Sequence, residues 1–230
     1  ASLTQAAPAQ RAPRLSIHTT RLDSMPDPVS YTVGWICALK VEFVAAQVFL
    51  DEKHERPSVV SPNDTNHYEL GKMSGHNVVI AVLPDGEYGT ASAANVATNM
   101  LNTFHNVRIG FMVGIGGGVP SESHDIRLGD VVVSAPRGGQ GGVFQYDFGK
   151  SIQGQSFQHT RFMNQPPTTL RTAITGIQSQ YEIYGHRLEE AVNDIFVKNM
   201  RLRLKYGRPD PITDRLFKPE VVHSPKGCAE

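Results

Sequence analysis

The segment Ile109–Ser134 constrains the fold more than any other part of the chain, because a cluster of glycines directly follows a short apolar run. Ile109–Val113 is typical of a strand that is buried on both faces. The glycines after it are Gly114, Gly116, Gly117 and Gly118. Because glycine has no side chain, a ligand can approach the backbone closely at these positions. Val131–Ser134 predicts a second strand. By itself this pattern fits a plain connection between core strands as well as a binding loop.

The patterns before this segment alternate between strands and helices. Apolar runs predict strands, and apolar residues at helical spacing predict helices. The predicted strands are Tyr31–Ala38, His67–Met73, Asn77–Leu83 (most buried over Val78–Leu83) and Ile109–Val113, and the predicted helices are Leu39–Leu50 and Ala91–Phe104. A hairpin is expected to turn at Ser74-Gly75-His76. This order predicts an α/β fold with three layers, α/β/α, around a central mixed sheet.

The two ends of the chain are predicted to be less regular. Residues 1–30 are rich in Ala, Pro, Ser and Arg and predict a disordered leader. The domain is expected to cover residues 31–230, with a helical extension and an irregular tail over 155–230. Helices are predicted at Thr168–Tyr184 and Arg187–Tyr206. The alternating aromatic residues around Phe144-Gln145-Tyr146 predict an edge strand.

The composition excludes several classes of protein. The chain has 230 residues, 40% of them hydrophobic, with 22 basic and 22 acidic residues. Such a balance predicts neither a nucleic-acid partner nor a membrane partner. No apolar run is long enough to cross a membrane. Cys37 and Cys228 lie far apart and do not form a disulfide framework. We therefore expect a cytoplasmic setting.

Glu42 is the candidate catalytic residue. It falls in the first turn of the predicted helix Leu39–Leu50, directly after a strand. A carboxylate there is favoured by the helix dipole, and by itself this structural role explains its position better than a catalytic one.

Five ordered motifs resemble the superfamily of nucleoside phosphorylases and nucleosidases, over roughly Tyr31–Gly154. The motifs are GWICALKVE (Gly34–Glu42), YGTASAA (Tyr88–Ala94), VGIGGG (Val113–Gly118), LGDVVVS (Leu128–Ser134) and FQYDFG (Phe144–Gly149). The chain is most similar to the fungal nucleoside phosphorylase domains that open larger, NLR-like chains with ankyrin or tetratricopeptide repeats. The resemblance implies the layered α/β fold of that superfamily.

The resemblance also implies a reaction and its catalytic residue. Phosphorylases of this kind carry an Arg and a Ser that hold phosphate, and Met112 and Ile115 stand at those positions. Neither side chain can bind a phosphate dianion. In the hydrolytic branch, a Glu four residues after the first strand's Ala activates the attacking water. Ala38 and Glu42 reproduce that spacing. The implied reaction is hydrolysis of the N-glycosidic bond of a purine nucleoside.

The same resemblance implies the rest of the site and its partners. Gly89 and the glycines Gly114, Gly116, Gly117 and Gly118 are expected to contact the substrate at one cleft. Phe144 and Tyr146 are expected to lie at a two-fold interface and to cover the neighbouring subunit's site. The implied partners are a small-molecule nucleoside and, in a complete domain, a second copy of the chain. Neither a cofactor nor a metal is implied.

One part of the superfamily's machinery has no counterpart before Glu230. The family places a Met-Glu pair for the ribose hydroxyls, and an Asp that protonates the purine, in its last third. Glu189-Glu190-Ala191 is the nearest string, but it lacks the neighbouring strand. The resemblance therefore implies a fold without its C-terminal part. Three functions stay open: a nucleosidase, a non-catalytic sensing module of a larger receptor-like protein, and a phosphorylase with an unusual phosphate site.

Overall fold

The computed structural model describes residues 27–57, 59–122, 124–160, 163–210 and 212. Its strands are β1 (Val33–Cys37), β2 (Glu52–His54), β3 (Tyr68–Met73), β4 (His76–Val82), β5 (Ile109–Met112), β6 (Gly149–Lys150) and β7 (Gln158–His159). Its helices are α1 (Lys40–Val48), α2 (Thr90–Thr103), α3 (Thr168–Tyr184), α4 (Leu188–Lys198) and α5 (Met200–Tyr206). The chain divides into two compact units, and the boundary falls between Ile115 and Gly116.

The first unit is built on a five-stranded mixed sheet in the order β2-β3-β4-β1-β5. β1 runs parallel to β4 on one side and to β5 on the other. β2, β3 and β4 pair in antiparallel fashion. The predicted α/β fold with a mixed sheet is therefore confirmed.

The hairpin between β3 and β4 is set by local turn chemistry. Ser74 and Gly75 both have positive φ, 48° and 85°. Positive φ at both central residues defines the tight turn whose twist matches that of paired strands. The predicted hairpin is confirmed, with β4 beginning one residue earlier than expected, at His76.

The alternation of side chains along β4 creates three layers. Val78 and Ile80 face one side of the sheet, where they pack with Phe43 and Ala46 of α1. Val79 and Ala81 face the other side, in a cluster that α2 covers with further apolar residues. Because successive strand residues point to opposite faces, one apolar strand can anchor a helix on each side. The predicted α/β/α layering follows from this.

Three buried aromatic rings fill the core on the α2 face. Phe104, at the end of α2, contacts Tyr31 with ring centroids 5.5 Å apart and Tyr68 with centroids 5.1 Å apart, both edge to face. Phe104 and Tyr31 are completely buried. Edge-to-face packing of this kind adds stability beyond the burial of apolar area. The cluster joins the start of the sheet to the end of α2.

The strand predicted at Ile109–Val113 is confirmed as β5, but its burial on both faces and the strand at Val131–Ser134 are wrong. Ile109–Val113 is predicted to be buried on both faces, but β5 is an edge strand, and Met112 is 63% exposed. α1 and α2 pack chiefly against β1 and β4, so they leave β5 largely uncovered. Val131–Ser134 forms no strand, and Val131 is 70% exposed. β-branched residues favour an extended backbone, but a strand also needs a pairing partner.

The second unit is described by itself and consists of the short β6-β7 hairpin and three helices. α3 has the predicted bounds, whereas the predicted helix Arg187–Tyr206 is interrupted at Asn199 and forms α4 and α5. The buried hydrophobic residues of the described structure all lie between Tyr31 and Phe104, within the first unit. Among the described residues, none of the helices has the length and hydropathy needed to span a bilayer.

Two further expectations differ from the structure. The aromatic edge strand around Phe144 is wrong, because the backbone forms an isolated bridge at Phe144, turns at Tyr146-Asp147 and enters a strand at Gly149. Of the predicted disordered leader, residues 1–26 lie outside the described residues. Pro28–Ser30 forms a short 3-10 turn, in which the Asp27 side chain accepts a hydrogen bond from the Val29 amide at 3.0 Å.

Replacing Phe104 by Ala tests the aromatic core. We expect Phe104→Ala to lower the free energy of unfolding by about 3–5 kcal/mol, because it leaves a cavity among buried rings. Leu101, three residues earlier and 49% exposed, provides a matched control. Leu101→Ala should cost less than about 1 kcal/mol. Urea unfolding followed by circular dichroism measures both variants, and similar losses would contradict the assigned core.

Candidate functional site

The carboxyl ends of β1, β4 and β5 meet at one edge of the sheet, because these three strands are parallel. α1 begins after β1, and α2 begins after the loop that follows β4. Open α/β sheets commonly bind ligands at this edge, where strand-end loops and helix N-termini come together. The candidate site lies at these strand ends and consists of residues of the first unit.

Glu42 is the central side chain of this edge. It occupies the first turn of α1 and is only 8% exposed. Its Oε2 accepts hydrogen bonds from the backbone N–H groups of Ala38 and Leu39, both at 2.8 Å. Its Oε1 accepts one from the N–H of Ile115 at 2.7 Å. One carboxylate thus joins the end of β1 to the backbone just beyond β5.

The local sequence explains why a carboxylate sits in this place. Leu39, at which α1 begins, has no polar side chain to cap the helix. A Glu three residues into a helix can reach back to the N-cap amide. The helix dipole and the backbone N–H bonds both stabilise a carboxylate at this position. Glu42 therefore supplies the acceptor for the backbone N–H groups of Ala38 and Leu39 at the start of α1.

Gly114 is required by the close approach of that carboxylate. A Cβ built on Gly114 would lie 2.7 Å from Oε1 of Glu42 and 3.0 Å from its carboxyl carbon. Real Cβ atoms do not come this close to an oxygen, so any other residue would displace the side chain. The structure brings Glu42 and Gly114 together, as the sequence predicts.

Gly89 has a different reason for being glycine. It is the N-cap of α2 and has φ 94° and ψ 176°, a backbone conformation that is essentially restricted to glycine. A Cβ there would meet nothing within 4 Å, so the requirement is conformational and not steric crowding. Gly89 thus sets the direction in which α2 leaves the β4 loop. Its predicted role in substrate binding stays a prediction.

Cys37 lies at the end of β1 beside Glu42 and is completely buried. Burial raises the pKa of its thiol to about 11, and the negative charge of Glu42 acts in the same direction. A thiol with a raised pKa is protonated at neutral pH and is a poor nucleophile. We therefore assign Cys37 to packing.

The other predicted site residues belong to the second unit. Gly116 and Gly117 have open space where a Cβ would be, and a Cβ on Gly118 would lie 2.7 Å from Cγ2 of Ile126. Phe144 packs edge to face on the ring of His159, with centroids 4.5 Å apart. Tyr146 is 77% exposed. Their predicted roles in substrate binding and dimerisation stay predictions.

An apolar groove of about 300 Å³ lies on the α2 face of the sheet. Gly34 of β1 and Gly110 of β5 are paired in register and leave its floor without side chains. Arg108 is the charged residue of its lining, which includes neither Glu42 nor Gly114. The groove is therefore distinct from the strand-end site.

No group of three or more His, Cys, Asp or Glu side chains in the described part of the chain is placed to hold a metal ion. The chemistry that the strand-end site offers is that of one buried carboxylate and the backbone amides around it. Such a site can bind and orient a polar ligand or a water molecule.

Sequence reasoning found the carboxylate but not the groups that hold it. The amides of Ala38, Leu39 and Ile115 carry no sequence signature, because every residue but proline has a backbone N–H. The spacing of Glu42 from Leu39 is the sequence signal for its bond to the Leu39 amide. The bond to Ile115 spans 73 residues and depends on the parallel pairing of β1 with β5.

The fold and the site define an α/β protein whose strand ends are joined by a buried carboxylate. The chain is 47% identical over 191 residues to a nucleotide-binding leucine-rich repeat (NLR)-like protein from the fungus Hyaloscypha variabilis. The match covers 83% of this chain and 19% of that protein, so the chain spans about a fifth of its relative's length. None of the known protein-family models matches the chain. No solved structure matches it either.

Replacing Gly114 by Ala tests the close approach of Glu42. We expect Gly114→Ala to lower the free energy of unfolding by about 1–3 kcal/mol, because the new methyl group displaces the carboxylate from the Ile115 amide. Gly110→Ala is the matched control, since a Cβ there meets nothing within 4 Å. The control should raise the free energy of unfolding by about 0.4–1 kcal/mol, because alanine restricts the unfolded chain and meets no clash here. Equal effects of the two substitutions in urea unfolding would contradict this contact.

The raised pKa of Cys37 predicts a loss of stability in alkali. The pKa rises from 9.0 to about 11 on folding, so the unfolded chain releases the thiol proton at lower pH than the folded chain does. The stabilisation is complete below about pH 9 and is lost as the pH rises toward the folded value. Cys37→Ala should therefore show a smaller fall in the free energy of unfolding over that range, and equal slopes for both proteins would refute the assignment.

Proposed function

We propose that this chain is a nucleosidase-type domain that binds a nucleoside at the carboxyl ends of β1, β4 and β5, as part of a larger NLR-like protein. The observation that carries the proposal is the position of Glu42, buried at this edge and bonded to amides of both strand ends. Its place in a motif that resembles the nucleosidases supports a sugar as the ligand. We place the protein in the cytoplasm, where a free thiol such as Cys37 stays reduced.

The geometry of Glu42 favours recognition without cleavage. Three backbone donors already occupy its two oxygens, which holds the carboxylate in place as a structural anion. A general base must also accept a proton from water during the reaction, and two of the three bonds fill both acceptor positions of Oε2. The relative's description as NLR-like also suits a sensing module.

Hydrolysis is the second candidate function, and one observation favours it. A carboxylate oxygen has two acceptor positions, and among the described residues Oε1 of Glu42 accepts a single bond, from Ile115. The remaining position could hold a water molecule for attack on the sugar. Phosphorolysis is less well supported, because a phosphate dianion would face the charge of Glu42 and the apolar side chains of Met112 and Ile115.

The test combines nucleoside binding with release of the base. Adenosine, inosine and uridine are added to the chain, binding is measured by calorimetry and free base by chromatography, with and without phosphate. We expect binding of at least one nucleoside without base release. Glu42→Gln should weaken binding about tenfold or more, because an amide cannot accept all three N–H bonds. Glu55→Gln, an exposed carboxylate, is the matched control.

The other outcomes assign a different function. Base release by the unaltered chain that disappears in Glu42→Gln, with binding retained, would establish hydrolysis. Base release that requires phosphate would establish a phosphorylase. Failure of all three nucleosides to bind would refute the nucleoside proposal altogether.

A further inference from the structure

The end of the second unit carries a strong local excess of positive charge. The segment Lys198–Arg208 contains five basic residues and no acidic one, although the chain as a whole has 22 of each. The basic residues are Lys198, Arg201, Arg203, Lys205 and Arg208. The composition predicts no membrane partner because its 22 basic and 22 acidic residues balance over the whole chain. That balance conceals the local excess of positive charge.

Most of these cations are available for a partner. Lys198, Arg201, Arg203 and Lys205 are all exposed. Within the described ranges none of the four forms an ion pair, whereas Arg208 lies 4.0 Å from Glu189. Lys205 rests over the ring of its neighbour Tyr206, 5.2 Å from the centroid. The segment therefore presents four exposed cations that have no ion-pair partner among the described residues.

Two apolar side chains lie among these cations on α5. Met200 is 58% exposed and Leu204 is 83% exposed. Residues four apart lie one above the other on a helix, so the two side chains form a single stripe. At 100° per residue, Arg201 and Lys205 flank this stripe on one side and Arg203 flanks it on the other. These five residues are called the α5 face here.

We propose that the α5 face binds the surface of an anionic phospholipid membrane. Apolar side chains flanked by cations suit the boundary between head groups and acyl chains, where Lys and Arg extend their charges to the phosphates. A protein surface that binds single-stranded nucleic acid typically presents exposed aromatic side chains for base stacking, whereas the aromatic residue of this segment, Tyr206, is partly buried and lies beneath Lys205. Because α5 has seven residues, the binding is weak, reversible and sensitive to salt.

The proposal is tested with the full 230-residue chain and vesicles. Co-sedimentation is measured with vesicles of phosphatidylcholine alone and with vesicles that also contain phosphatidylserine. We expect binding to the mixed vesicles only, with loss of binding as salt is raised. The triple variant Arg201→Gln, Arg203→Gln, Lys205→Gln should bind at least about tenfold more weakly, at a few-fold per charge. The double variant Met200→Ser, Leu204→Ser should also bind more weakly.

Matched controls separate the α5 face from general charge and hydrophobicity. Lys40→Gln, Lys53→Gln and Lys72→Gln together remove the same charge from exposed positions of the first unit. Val59→Ser with Val119→Ser removes two exposed apolar side chains elsewhere. Both controls should bind like the unaltered chain. Circular dichroism verifies that every variant keeps its helix content.

Three results would overturn the proposal. The first is equal binding by the α5 variants and their controls. The second is the absence of binding to mixed vesicles. The third is binding of a single-stranded oligonucleotide through the same three cations while vesicles fail to compete. None of these results bears on the nucleoside proposal, which rests on Glu42 in the first unit.

Discussion

The carboxylate of Glu42 is the interaction on which the carboxyl edge of the sheet depends. Parallel strands end in loops whose amides have no ladder partner, and buried amides must find acceptors. Glu42 supplies these acceptors to both sides, at Ala38 and Leu39 and again at Ile115. Helix α1 therefore does more than cover one face, because its first turn fixes where the chain goes after β5. Removing the charge would leave several donors unsatisfied at once.

Two glycines at the strand ends are explained by two different constraints. Gly114 leaves room for the carboxylate, and Gly89 allows the backbone turn from which α2 begins. Both constraints restrict which residues these two positions accept. Glu42 therefore has a structural role at the strand ends whether or not a ligand binds there.

The two units distribute apolar and charged side chains in different ways. In the first unit, the alternation along β4 buries apolar residues against α1 and α2, and the core ends in the aromatic contacts of Phe104. In the second unit, helix α5 exposes apolar and basic residues together. The balanced composition conceals this difference, because net charge is a sum over the whole chain whereas the charge of a surface depends on the few residues exposed there.

The sequence by itself determined the features that depend on neighbouring residues. Turn chemistry at Ser74 and Gly75 specified the hairpin, and local sequence patterns located α1, α2 and α3, because both act within a few residues. Only the tertiary structure decided that β5 lies at the sheet's edge and that Val131–Ser134 remains unpaired. Strand pairing depends on partners that are distant in the chain, and propensity alone does not select them. The contact of Glu42 with Ile115 belongs to the same class, since it exists only where the parallel sheet brings two strand ends together.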